Sequence, residues 1–334
     1  MKTLMKLANN LNKSCAFKGM IFFEGNVARA TNIDLHAVID GGAWQFGCAT
    51  VVDSVQIKMA LALNSKNPVW AGDTLNGVKL VSAYPANDFP ALPAYDGTKV
   101  DCANLAAHVA RTLPAAADNN IRYWLRYWLN GLCFDHSERA IIGCDGHRAH
   151  MVTDAYTSGL TGQAIVPRSA FDITGARNVL NIGFTDKYFR LGYCGGYIIG
   201  KLVDGTYPDY KRVFPADSER PNKVKFNGAQ IAAAKSIVAI VKAKKSKFGA
   251  VAIGFDGSLE AYDIRVPCFD GFSIVPRTGK DGALQVDTVY GVNAAYLYDA
   301  MDCAKHGTIG VGQAIDGLLI TEGDYRAVVM PRSL

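Results

Sequence analysis

The sequence predicts an α+β fold made of three tandem copies of one small unit, each with two helices packed on antiparallel sheet. Three observations carry this reading: hairpin-like segments recur at about one third of the chain length, a helix-like apolar run precedes each, and a short strand leading into a second such run follows each. The hairpins are Gly19 to Asp34, Gly131 to Asp145 and Ala250 to Asp263, each an apolar run, a polar turn and a second strand reaching an Asp. The preceding runs are Leu4 to Leu11, Leu105 to Leu113 and Ile231 to Val241. The following runs are Val55 to Leu63, Phe171 to Arg177 and Ala294 to Ala304, with Asp53 and Asn293 placed as N-caps that accept from the first free amides. Proline-marked strand pairs are expected to close the first two units at Asp88-Phe89-Pro90 and Tyr207-Pro208-Asp209-Tyr210. Polar, turn-rich stretches at Pro93 to Gly97 and Ala216 to Pro221 divide the chain into domains 1–95, 96–217 and 218–334.

Composition bounds the class. With 334 residues and 49% hydrophobic content the chain exceeds one domain of about 100 to 150 residues. No apolar run reaches the roughly 18 residues that cross a bilayer, and no signal-peptide pattern opens the chain, so it reads as soluble, intracellular and cytoplasmic. The eight cysteines are scattered singly without a C-x-x-C pair, which encodes neither a disulfide framework nor a zinc cage. A net charge of +5 permits polyanion binding without demanding it. The helix-like runs are net positive. On three such units curved with their helices inward, Lys6, Lys13, Lys58, Arg111, Arg168, Arg177, Lys235, Lys242 and Lys305 would face phosphates without reading sequence. The plainer alternative is that these cations solvate outer helix faces. The run Lys242 to Lys247 lies where a helix ends and suits carbonyl compensation as well.

Three segments read as pieces of one pocket: Cys144-Asp145-Gly146-His147-Arg148, Asp204 to Pro215, and the apolar stretch Ala327 to Leu334. Leu129, Val213, Val328, Met330 and Leu334 can supply a desolvated surface for a leucine or phenylalanine anchor. Arg148 and Arg212 can orient a peptide's polar edge, and Gly146 permits positive φ after a strand. His147 with His150 spells H-x-x-H, but no third ligand stands nearby, so His147 reads as a hydrogen-bonding wall and no metal or cofactor is expected. Catalysis lacks a site. There is no phosphate-binding loop, Gly307 to Gly312 lacks dinucleotide spacing, and Asp135, His136 and Glu138 read as solvated turn residues rather than an acid/base set.

The motifs Arg126-Tyr127-Trp128-Leu129-Asn130-Gly131, Asp145-Gly146-His147-Arg148, Val166-Pro167-Arg168, Asp204 to Pro215 and Val328 to Leu334 resemble those of the bacterial DNA polymerase III β subunits, the sliding clamps, in a divergent, shortened form such as a phage carries. The first domain matches only through Ile33-Asp34-Leu35 and Asp88-Phe89-Pro90. The resemblance implies an arc that is half of a six-domain ring, a head-to-tail homodimer around duplex DNA, no catalysis, and a pocket for polymerase and clamp-loader peptides. Carried over by motif, the pocket comprises Leu129, Cys144, Gly146, His147, Arg148, Ala149, Pro208, Arg212, Val213, Val328, Met330, Pro331, Arg332 and Leu334. Ala149 stands where the family usually has leucine, Arg332-Ser333 replaces the usual Met-Arg, and Lys242-Ala243 replaces an apolar pair at the protomer interface. That last change keeps open a second class of function, a monomeric clamp-like peptide binder acting as decoy or regulator.

Overall fold

The computed structural model describes residues 2–9, 17–118, 126–220, 222–243, 250–255, 262–265, 288–311 and 317–331. In the first third, α1 (Lys2–Asn9) buries Leu4, Leu7 and Ala8 against β1 (Met20–Gly25), β2 (Val27–Thr31) and β3 (Leu35–Ile39). Next come β4 (Phe46–Asp53), α2 (Ser54–Leu63) and the short β5 (Trp70–Ala71), β6 (Thr74–Leu75) and β7 (Val78–Lys79). The second third contains β8 (Thr98–Lys99), α3 (Leu105–Thr112), β9 (Gly131–Asp135), β10 (Ala140–Cys144), β11 (Arg148–Val152), β12 (Gln163–Pro167), α4 (Arg168–Thr174), β13 (Val179–Phe184), β14 (Tyr188–Tyr193) and β15 (Gly196–Lys201). The last third contains β16 (Asn222–Phe226), α5 (Gly228–Ala243), β17 (Ala250–Phe255), β18 (Tyr262–Arg265), β19 (Thr288–Asn293), α6 (Ala294–Ala304), β20 (Gly307–Val311), β21 (Leu318–Glu322) and β22 (Tyr325–Val329).

Each helix-like run is a helix over most of its length, with Leu11 outside the described residues and the run Phe171 to Arg177 leaving the helix after Thr174, and each hairpin has its pair of strands. The N-caps are made as expected: Asp53 Oδ1 accepts from Val55 N at 2.7 Å, and Asn293 Oδ1 accepts from Ala295 N at 2.9 Å and Tyr296 N at 3.3 Å. The proline-marked strand pairs are absent. Ala86–Asp88 and Tyr210–Arg212 are single 3₁₀ turns, because a proline at Pro85, Pro90 or Pro208 cannot donate to a ladder.

The chain forms two compact units, Met1–Ala106 with Ser169–Val203 and Ala107–Arg168 with Asp204–Leu334. The first holds an eight-stranded antiparallel sheet in the order β4-β1-β2-β3-β15-β14-β13-β8 and the small sheet β5-β6-β7. The second holds β12-β9-β10-β11-β22-β21-β20-β16 and the sheet β18-β17-β19. The two long sheets have one plan. A block of four strands ordered fourth, first, second, third is joined through its third strand to the last strand of the next repeat, by β3 with β15 in one unit and β11 with β22 in the other. Backbone ladders therefore cross both turn-rich stretches. Phe23, Trp44, Phe46 and Trp70 form an aromatic core in the first unit. In the second, β9 and β10 are apolar almost throughout because they are buried on both faces, with Phe134, Ile141 and Ile142 fully enclosed. Among the described residues no helix is long and apolar enough to cross a membrane.

Candidate functional site

The second unit collects most of the residues singled out for a pocket. Between β10 and β11 the carboxylate of Asp145 closes a turn on itself: Oδ1 accepts from His147 N at 2.8 Å and Arg148 N at 3.0 Å. Gly146 lies between them at φ +86°, in the left-handed region that costs a side chain about 1–2 kcal/mol. Its N–H points at Cys144 Sγ, 3.3 Å away. From this turn β11 runs antiparallel to β22, with Arg148 opposite Val329 and Ala149 opposite Val328. Met330 N then donates to His147 O at 2.9 Å, and Pro331 bridges to Val292 of β19. Gly146, His147 and Met330 are exposed, Leu129, Ala149 and Val328 are buried, and Cys144 and Pro331 are half-buried. Arg332 and Leu334 lie outside the described residues.

The segment Asp204 to Pro215 is laid over the same sheet by two tyrosines. Tyr207 is buried with Cys144, Cys133 and Asp145 around its phenol. Tyr210, three residues on, is also buried and donates to Asp135 Oδ2 at 3.1 Å. At the far end Arg326 of β22 donates to Pro215 O at 2.6 Å. With the tyrosines inward, Pro208, Arg212 and Val213 are left exposed, and Arg212 pairs with its neighbour Asp209 at 2.9 Å.

Several residues do other work than expected. The charge of Arg148 is met from within the chain. Its guanidinium, 10% exposed, pairs with Asp145 Oδ2 at 3.2 Å and with Asp299 Oδ2, donates to Pro114 O, and covers the ring of Tyr296 at 4.2 Å. A planar fork with that many donors satisfies four partners at once, so Arg148 braces the turn from behind. Arg111 is similarly paired within the chain. It pairs with Glu322 at 2.6 Å and Asp324 at 3.1 Å, donates to Cys303 O, and stacks over Tyr325 at 4.4 Å. Arg168 donates to the carbonyls of Leu113 and Ala116, in the 3₁₀ turn that follows α3 and at its end. Asp135 and His136 are not solvated turn residues, for they are 4% and 6% exposed. Only Glu138 of that trio is at the surface.

Of the remaining cations, Lys6, Lys58, Lys235 and Lys242 are exposed on helices α1, α2 and α5. Arg177 is exposed in a turn beyond α4, which stops at Gly175. Lys305, at the end of α6, is tied to Asp302 at 2.7 Å. Lys13 lies outside the described residues.

Burial sets the electrostatics of these residues and leaves the thiol at the turn quiet. Burial pushes the Cys144 thiol up to about 11. His150 is separated from exposed His147 by complete burial, with Nδ1 3.0 Å from Arg111 O and 3.1 Å from Tyr325 OH. Burial first, and the Arg148 charge second, push His150 down to about 3. The signals for the unforeseen partners were present as the Tyr207/Tyr210 spacing and as Gln163, which stands directly opposite Asp135 in the ladder. Neither distinguishes itself until the sheet is assembled.

No protein-family model matches the chain. In sequence it is similar to the beta sliding clamp of Escherichia coli K12, 30% identical over 149 residues, which is 42% of this chain and 40% of that protein. It is also similar to the beta sliding clamp of Proteus mirabilis, 28% identical over 238 residues, 67% of this chain and 62% of that one. The matched stretches thus span less than two thirds of either relative. In structure it is similar to a DNA polymerase sliding clamp from Pseudomonas aeruginosa, with a TM-score of 0.72 at 21% identity over 100% of this chain and 97% of that one. The Caulobacter crescentus pol III beta structure gives a TM-score of 0.75 at 19% identity, covering 99% and 96%. The chain therefore has the fold of the bacterial sliding clamps and is a divergent sequence relative of them.

Proposed function

We propose that the chain is a sliding clamp: a non-catalytic processivity factor of the cytoplasm that encircles duplex DNA as a head-to-tail homodimer and tethers a DNA polymerase and other partners through a peptide groove. The protomer is read as three clamp domains, 1–95, 96–217 and 218–334, bent into an arc. The observation that carries the reading is the sheet plan, in which the third strand of one repeat joins the last strand of the next, twice over. Carried one step further, the same join would pair the last repeat of one copy with the first repeat of a second copy.

Helix α2 supports the same closure. Counting from the caps Asp53 and Asn293, Met59 and Leu63 hold the places of Asp299 and Cys303 in α6. In α6 those places are covered by the preceding repeat, through Arg148 on Asp299 and through Arg111 and Ala110 on Cys303. In α2 no described residue covers the corresponding places, and Val55, Met59 and Leu63 stand 53%, 67% and 67% exposed along one helix face. An apolar strip of this kind fits a protomer interface.

In this reading Lys6, Lys58, Arg177, Lys235 and Lys242 attract the DNA backbone weakly enough to permit sliding. Gly146, His147, Pro208, Arg212, Val213 and Met330, with Cys144 and Pro331, line the groove, while Arg148 supports it. Retention on DNA tests the proposal. Protein loaded on a nicked circle should stay through a salt wash and leave when the circle is linearised. Loss at one rate from both forms sinks encirclement, and a monomer of 35.9 kDa by light scattering at micromolar concentration favours the decoy.

A further inference from the structure

A hairpin turn at the surface has no need of a buried charge, yet β9 ends in one. The Asp135 carboxylate accepts from Glu138 N at 3.1 Å, which suffices to close the turn into β10. Two further donors converge on its other oxygen: Gln163 Nε2 from β12 at 2.8 Å and the Tyr210 hydroxyl at 3.1 Å. Among the described residues no cation pairs with it, since Lys211 pairs with Glu138 instead. Burial alone would raise this carboxyl, but the hydrogen bonds from Gln163, Glu138 and Tyr210, with the Lys211 charge, outweigh it and hold the group below the usual range. It is therefore ionised at neutral pH, and a desolvated carboxylate draws strongly on each donor it has.

What the charge organises is the loop. Tyr210 opens the turn Tyr210–Arg212, and its carbonyl accepts from Val213 N at 2.9 Å, so the phenol and the exposed Val213 belong to one rigid piece. Pro208 and Arg212 flank the same anchor on its outer side. We infer that Asp135 is a positioning residue for the peptide groove: its buried carboxylate, acting through Tyr210, fixes the wall formed by Pro208, Arg212 and Val213. The inference rests on the groove reading above. It assigns to the far end of β9, away from the Asp145 turn, control over how well a peptide is held.

The test uses the full chain and a fluorescein-labelled hexapeptide ending in Leu-Phe, read by anisotropy, together with trypsin cleavage after Lys211 and Arg212 under native conditions. Tyr210→Phe removes one hydroxyl and should raise the peptide Kd about five- to tenfold, the equivalent of roughly one ordinary hydrogen bond. Cleavage at Lys211 and Arg212 should quicken by a similar factor while cleavage at the remote Lys79 is unchanged. Asp135→Asn should act at least as strongly, and where it fails to fold Tyr210→Phe still decides. Met330→Ala, which alters the groove directly, serves as reference. If it weakens the peptide while Tyr210→Phe binds within twofold of the parent and is cut no faster, Asp135 has no positioning role. If Met330→Ala binds as the parent does, the groove reading falls and this inference falls with it.

Discussion

The two long sheets contain the same turn at matched places, and only one of them is followed by a buried ion cluster. At Asn32-Ile33-Asp34, between β2 and β3, Asn32 Oδ1 accepts from Leu35 N at 2.7 Å, and Lys201 N of β15 donates to Asp34 O at 3.0 Å. At Asp145-Gly146-His147, Asp145 Oδ1 accepts from Arg148 N at 3.0 Å, and Met330 N donates to His147 O at 2.9 Å. Even the odd φ repeats, +79° at Ile33 and +86° at Gly146. The backbone is thus common property, and the difference lies in what hangs from it. Leu35 follows the first turn into the core, whereas Arg148 follows the second into a cluster of carboxylates and a carbonyl. The two turns share a backbone and part company in their side chains.

The largest break of this contrast is Arg148→Leu, which gives the second turn the residue of the first. It leaves Asp145, 6% exposed, without its cation and strips Asp299 of its partner. Uncompensated charge of that kind costs about 3–5 kcal/mol. Urea unfolding should show the loss, and a variant within 1 kcal/mol of the parent would mean that the cluster is not what sustains the turn.

Two residues further along, β11 carries His150 where β3 carries Ala37, and the contrast there is one of pH. The folded pKa of about 3 lies below the ordinary value near 6.5, so the unfolded chain binds the proton first. Stability from this group is complete above about 6.5 and falls as pH drops toward 3. Between pH 7 and pH 5 the loss should be about 2 kcal/mol. Burial also lowers His36, His108 and His136, so the slope of the parent alone is not diagnostic. The difference from His150→Gln is, and parallel pH curves for the two proteins would refute the assignment.

Much of the scaffold is legible before folding because its signals are local. Apolar spacing gives α1 through α6, and Asp53 and Asn293 announce their helices by the cap chemistry they perform. The joins β3–β15 and β11–β22 are not legible, since each strand carries an ordinary alternating or apolar pattern and its partner lies more than 150 positions away in both cases, a pairing that local pattern does not specify. The same distance hides Arg111 and Arg148. Their acceptors Glu322, Asp324 and Asp299 come from the next repeat, so a helix or strand cation that looks free in sequence is spent in the fold. Asp135 misleads for a related reason: a turn carboxylate reads as solvated until Tyr210 is laid over it.

The finest division between the turns concerns one residue. Ile33 is β-branched, 52% exposed, and sits at φ +79°, where crowding of Cβ against the backbone is worst and no buried contact requires the side chain. Gly146 meets the same demand without strain. Gly146→Ala should therefore cost about 1–2 kcal/mol, with Arg126 Nη1 3.6 Å from the new methyl and no serious clash to add to the dihedral penalty. Ile33→Gly should run the other way and stabilise, by about 1 kcal/mol, because relief of strain exceeds the extra freedom glycine gives the unfolded chain. Thermal unfolding of the two single variants decides the matter. If both lower the melting temperature, the first turn draws on its isoleucine in a way the second never needs, and the equivalence of the two turns ends at the hydrogen bonds.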